Sequence, residues 1–341
     1  MSTSTEPTRT TSSTWPLAVL LTSVLLLAGC FAAPQDSAAP PSSGARTTGS
    51  GAPPSSDHST PSTGASTTLV DPTAAGTSSV PARVAASFRT LDAGLDAEVA
   101  VVVVSGSRTL TFGVPMTGPA WSTIKAPLAI AAIGHGGGAV SGLVRRALTA
   151  SDNAAAEDLW TSLGTPTQAA AAVTAVLAQS GDTTTSVQSA RIRTGFTAFG
   201  QTRWPLAAQA RFARQLPCIT GSASVIAAMR EIEPGQQWGL AGTGTVAAKG
   251  GWGPDPDGKY LVRQIALVSD AAGTFGVALA ARPRDGSFSS GTATLSALAQ
   301  WVLANRAAFD GPTCQRSAAA SSHRDTLHAQ TPATSAIGTT P

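Results

Sequence analysis

Side chains able to act as bases are scarce in this chain. Its 341 residues include 4 histidines, 1 tyrosine and 3 cysteines, and aromatic residues make up only 5%. Of the histidines and tyrosine, only His135 and Tyr260 fall where the composition can build a core. A Ser-His-Asp machine would therefore rest on a histidine in the string Gly134-His135-Gly136-Gly137-Gly138. That string contains the H-G-G-G of lipase oxyanion loops, but the nucleophile elbow G-x-S-x-G is missing, so it reads as a loop that ends a helix. No His and Cys cluster and no nucleotide loop occur, so neither a metal nor a cofactor is expected. The formal charge of +3 comes from scattered arginines instead of a basic run, which argues against nucleic acid as a partner.

Large apolar residues are absent from two long segments. Residues 30–81 are mostly Ser, Thr, Pro, Ala and Gly. They cannot bury enough surface to offset the entropy of ordering, and read as a disordered stalk. Residues 317–341 have the same character and read as a disordered tail. Residues 82–316 remain as one folded domain. At the start, Trp15 to Ala28 is apolar but short for a membrane span, and it leads into Leu27-Ala28-Gly29-Cys30. This resembles a bacterial lipobox. Residues 1–29 are read as a lipoprotein signal peptide and Cys30 as the acylated first residue, which would anchor the protein by lipid at the outer face of the cytoplasmic membrane in the cell envelope. An ordinary secretory signal or an uncleaved anchor is the alternative. An oxidising compartment favours a disulfide between Cys218 and Cys314, against the alternative of two unrelated thiols.

Within the domain the periodicity changes twice. Val84 to Leu95 is helical, Glu98 to Val104 and Arg108 to Phe112 form a strand hairpin, and Trp121 to Ile133 is helical until the glycine string breaks it. Helical patterns follow at Val140 to Thr149, Ala154 to Leu163, Thr167 to Gln179, Pro205 to Leu216 and Ser222 to Ile232, with Asn153, Thr167 and Ser222 as capping signals. Val246 to Trp252, Tyr260 to Ser269 and Thr274 to Ala281 read as strands, and Gly291 to Arg306 as a closing helix. The order suits an α+β fold, with an antiparallel sheet flanked by terminal helices and a reduced all-helical subdomain beside it.

Lysine is the rarest cation, with three lysines against nineteen arginines. Burial and neighbouring charge can bring a lysine to a neutral, proton-accepting form, whereas arginine keeps its proton. Lys125 lies in Ser122-Thr123-Ile124-Lys125 at the start of an apolar helix, where residues i and i+3 share a face. Ser122 and Lys125 thus make a candidate nucleophile and base. Further on stand Ser151-Asp152-Asn153 and Lys249-Gly250-Gly251.

These three elements, in this order, resemble the S-x-x-K, S-D-N and K-[ST]-G motifs of the penicillin-recognising serine acyltransferases, the superfamily of β-lactamases and DD-peptidases. The likeness runs over nearly the whole domain and is nearest to the class A β-lactamase-like lipoproteins of actinobacteria. It implies that Ser122 is acylated, that Lys125 takes its proton and that Ser151 relays a proton to the leaving nitrogen. Asn153 would hold a substrate amide and Lys249 would offer charge to a substrate carboxylate. Gly251 would let an extended substrate lie along the strand edge, and the N–H groups of Ser122 and Trp252 would form the oxyanion hole. Asp152 is read as pinning the turn. The implied substrate is a small molecule or a peptidoglycan-like peptide, acted on by a monomer.

The sequence also departs from that pattern. No acid among Glu157, Asp158, Asp182, Glu231 and Glu233 stands at a convincing position to activate a deacylating water, so weak or absent deacylation is expected. Gly250 replaces the hydroxyl residue of the third element, and the short spacing from Ser122 to Ser151 suggests a more open site. A non-catalytic lipoprotein that keeps the fold to bind a wall component or a partner is the rival reading.

Overall fold

The computed structural model describes residues 81–271, 273–309 and 311. The expected signal peptide, stalk and tail, together with Cys30 and Cys314, lie outside them. Five strands form one antiparallel sheet in the order β2-β1-β5-β4-β3: β1 (Ala97–Ser105), β2 (Arg108–Gly113), β3 (Ala247–Pro254), β4 (Tyr260–Asp270) and β5 (Gly273–Pro283). The β-branched run that makes β1 leaves only Glu98 exposed, because β1 is covered on both faces. The fold is the α+β arrangement expected from the sequence.

Helices α1 (Ala82–Ala93) and α8 (Phe288–Ala304) cover one face. There Phe88, Phe112 and Trp301 pack with ring centroids 4.8 to 5.3 Å apart. The other face carries α6 (Leu206–Gln215), which comes so near β5 that a Cβ on Gly276 would lie 2.2 Å from the Ala210 carbonyl oxygen. The helical layer comprises α2 (Lys125–Gly136), α3 (Ser141–Thr149), α4 (Asn153–Ser162), α5 (Pro166–Gln179) and α7 (Ala223–Arg230). Residues Lys125 to Ala132 of α2 are all buried, as befits a helix apolar on every side.

Three local expectations are corrected. Helix α2 runs through Gly134 to Gly136 and turns only at Gly137, where φ is +55°. Its end is anchored by buried Leu128, Ile130 and Ala132, which outweighs the low propensity of two glycines on an exposed turn. Asp152, not Asn153, caps α4 by accepting the Ala155 N–H at 3.1 Å. Thr165, not Thr167, caps α5, through a reciprocal pair with Gln168.

Strand β3 is an edge strand, yet Ala247 to Gly251 are buried. Its cover is a 3-10 turn, Trp121–Ile124, immediately before α2. A Cβ on Gly251 would lie 2.8 to 2.9 Å from backbone atoms of Ala120, Ser122 and Thr123, and one on Gly253 would lie 2.6 Å from the Trp121 ring. The small residues on this face of β3 allow the backbone of the turn to dock against it. Ser122 is carried on that turn.

Candidate active site

The 3-10 turn sets the first pair. With three residues per turn, positions i and i+3 eclipse, so the side chains of Ser122 and Lys125 stack on one face. The turn closes when the Lys125 N–H donates to the Ser122 carbonyl. Trp121 has φ +50° and Ser151 has φ +57°, the two non-glycine residues with positive φ among the described residues. Both are attached to this site. Such conformations cost of order 1–3 kcal/mol and persist where surrounding packing enforces them.

Lys125 is 1% exposed. Its amine donates to the Ser151 carbonyl at 2.5 Å and to Asn153 Oδ1 at 2.7 Å, and lies 3.4 Å from Ser151 Oγ. Burial brings its pKa down to about 7, partly opposed by the charges of Asp152 and Glu157. A neutral amine has two N–H bonds and one lone pair. The Ser151 carbonyl and Asn153 Oδ1 only accept, so in the neutral form they can take both N–H bonds, with the Ser151 hydroxyl as the third neighbour. None of the amine's hydrogen bonds goes to Ser122 in this state.

Lys249 comes from β3 and meets the same hydroxyl. Its amine donates to Ser151 Oγ at 2.8 Å and to its neighbour's carbonyl, Gly250 O, at 3.0 Å. The side chain is fully buried, and burial followed by the charge of Lys125 pushes its pKa well below the usual amine range. The structure thus joins Lys125, Ser151, Asn153 and Lys249 through one hydrogen-bond network. Lys249 faces Ser151 in the interior.

The other expected residues sit nearby. Gly251 is pressed against the turn bearing Ser122, so its lack of a side chain serves that contact. Gly250 has no room for a hydroxyl residue, because a Cβ there would lie 2.5 Å from the Trp238 ring. Trp238 in turn packs edge-on against Trp252, with centroids 5.9 Å apart. Asp152 pins the turn, as read from the sequence, and also pairs with Arg146. Glu157 pairs with Arg191 at 2.8 Å. Cys218 ends a short turn after α6, at Leu216–Cys218.

Sequence reasoning missed the segment that lines a recess together with Ser122. Gln201, 3% exposed, accepts the Arg193 N–H at 2.7 Å and donates toward the carbonyls of Arg193, Phe196 and Thr197 at 3.2, 3.3 and 3.2 Å. Phe196 packs at a tilt against Trp121 with centroids 5.1 Å apart. The recess beside Ser122 has a volume of about 70 Å³. Nothing in the pattern around Gln201 signals a hub, because its partners are backbone carbonyls of an irregular loop.

A β-lactamase from Streptosporangium roseum aligns over 67% of this chain and 100% of its own, with a TM-score of 0.53 at 18% identity. The fold is that of the class A β-lactamases. The class A β-lactamase of the last common ancestor of Gram-negative bacteria aligns over 66% of this chain and 100% of its own, with a TM-score of 0.51 at 21% identity. No protein-family model and no curated protein sequence matches the chain. At these identities the β-lactamase likeness is one of architecture, and the chemistry rests on the residues themselves.

Proposed function

We propose that the protein is a serine acyl-enzyme hydrolase or transferase of the β-lactam-recognising class, with slow or absent deacylation. The observation that carries this is the buried Lys125 amine, one turn beyond Ser122 and held by the Ser151 carbonyl, Ser151 Oγ and Asn153 Oδ1. In the acylation step the Ser122 Oγ forms a bond to the acyl carbon while its proton passes to Lys125 Nζ. The bond from that carbon to the leaving nitrogen then breaks. The nitrogen takes the Ser151 hydroxyl proton, and Ser151 is reprotonated by the Lys125 ammonium or through Lys249, both of which contact its oxygen. The N–H groups of Ser122 and Trp252 serve as the oxyanion hole, and Asn153 orients the acyl amide.

Deacylation needs a base for water. The carboxylates whose charge reaches Lys125 are Asp152 and Glu157. Asp152 is engaged as a helix cap and Glu157 by Arg191, so the ester is expected to persist. Placement at the cell envelope follows from the lipobox at Cys30, and a Cys218 to Cys314 disulfide would tie the end of the domain to the segment after α6. The cysteine assignments are checked by membrane fractionation of Cys30→Ser and by the reduced and non-reduced intact masses.

The direct experiment is intact mass spectrometry of the purified protein after incubation with a reporter penicillin and with an activated ester. A stable adduct lost in Ser122→Ala is the expected result. Absence of an adduct from every acyl donor favours the rival reading, a binding lipoprotein, to which the lack of a Ser122 to Lys125 hydrogen bond in this state also speaks. Rapid turnover of a chromogenic cephalosporin would contradict the slow-deacylation part.

A further inference from the structure

Resting on the acylation reading, we infer that Gln209 on α6 is a positioning residue for Ser122, acting through the Thr123 hydroxyl to hold the turn that carries the nucleophile. That turn needs a brace. Trp121, immediately before Ser122, has φ +50°, a left-handed conformation that a bulky residue keeps only where its surroundings enforce it. The 3-10 turn Trp121–Ile124 is four residues long and has no side-chain cap, so little within it resists relaxation.

One hold comes from β3, which meets the turn at Gly251. The second comes from α6. Gln209 is fully buried, and its Nε2 donates to Thr123 Oγ1 at 3.2 Å. That hydroxyl gives its one proton to the Ala120 carbonyl at 2.6 Å, the same carbonyl that accepts the Thr123 N–H at 3.2 Å. Ala120 and Thr123 flank Trp121 and Ser122, so the strained residue and the nucleophile lie within a loop whose two ends this chain of bonds joins. The base of the chain is rigid, since the Ala210 carbonyl next to Gln209 packs directly over Gly276 in the middle of the sheet. Because the Thr123 proton is committed to Ala120, Gln209 must offer its amide N–H, and its Oε1 is left without a partner among the described residues. A buried acceptor of that kind disfavours the fold, and an apolar side chain of similar volume would avoid it. Packing alone therefore does not account for a glutamine at this position, and its one side-chain bond among the described residues goes to Thr123.

The test uses the purified full chain with p-nitrophenyl acetate, following the burst rate against probe concentration and pH, with denaturation midpoints in parallel. Gln209→Met should lower the maximal burst rate about tenfold, the scale of a slight misplacement of reacting atoms. The half-saturating concentration and the inflection near pH 7 should stay, because Gln209 bonds to neither the cleft nor Lys125, and the midpoint should hold or rise as the unpartnered carbonyl is removed. Thr123→Val should lose the same factor, Thr123→Ser should keep the wild-type rate, and the double variant Gln209→Met with Thr123→Val should be no slower than the slower single one. A full burst rate in folded Gln209→Met, or losses that multiply in the double variant, would overturn the inference while leaving acylation intact. So would a slower rate accompanied by a shifted inflection and a lower midpoint, which marks general loosening. Should Gln209→Met fail to fold, Thr123→Val against Thr123→Ser decides, and equal rates in those two would overturn the inference. A wild type that gives no Ser122 adduct would overturn the acylation reading and this inference with it.

Discussion

Two of the regions that bury cations use them oppositely. Arg263 on β4 is fully buried and donates to the carbonyls of Gly118 and Pro119 at 2.9 and 2.7 Å and of Trp204 at 2.8 Å. Burial, then the charge of Arg282, lowers its pKa to about 9, so it stays cationic at neutral pH. It is a clamp on the two segments that lead into and out of the site. Lys125 and Lys249 are equally buried, but both contact a hydroxyl that can pass a proton on. A buried cation therefore does not mark a site by itself. What separates the two regions is the partner: carbonyls that can only accept make a staple, and a hydroxyl beside a titratable amine makes a proton path.

The sharpest test of this contrast removes each cation. Lys125→Met should slow acylation of Ser122 about 10³-fold, equivalent to about 4 kcal/mol, measured as the burst rate with a reporter ester. Arg263→Met should instead unfold the protein more easily by about 3 kcal/mol in a denaturant titration, because several buried carbonyls lose their donor at once. Stability under Lys125→Met should move the other way. The amine's pKa falls from the unfolded 10.5 to about 7 on folding, so below about pH 7 holding it costs stability. That cost fades as pH rises between about 7 and 10.5, where the unfolded chain binds more protons. Lys125→Met should thus stabilise by about 2 kcal/mol at pH 6, a gain that shrinks by pH 10. The smallest effect belongs to Asp152→Ala, about 1 kcal/mol of lost capping, accompanied by a further fall in the Lys125 pKa since a neighbouring negative charge is gone.

Much of the fold was legible because its periodicities are strong. The Val run of β1, the alternation of β2 and the three closing strands announce a sheet, and apolar spacing announces the helices. Errors clustered where local signals compete with packing: Gly134 and Gly136 stay helical because α2 is buried around its whole circumference before them, and Asp152 outcompetes Asn153 as the cap. At the site, the scarcity of lysine made Lys125, Lys249 and Lys259 positions to inspect; Lys125 and Lys249 are buried, whereas Lys259 is exposed. What the sequence did not reveal depends on contacts between distant segments. Trp238 filling the space above Gly250, and Gln201 gathering a loop beside Ser122, leave no periodic or motif signal. The reason Gly250 departs from the hydroxyl pattern became visible only with Trp238 in place.

The central claim is that Lys125 acts as a neutral amine, and the pH dependence of the acylation burst tests it most directly. The rate should rise about tenfold per pH unit at low pH, bend near pH 7 as Lys125 loses its proton, and level off above it. A rate that is flat from pH 5.5 to 9, or that keeps climbing to an inflection near pH 10, would show that Ser122 is not activated by this lysine.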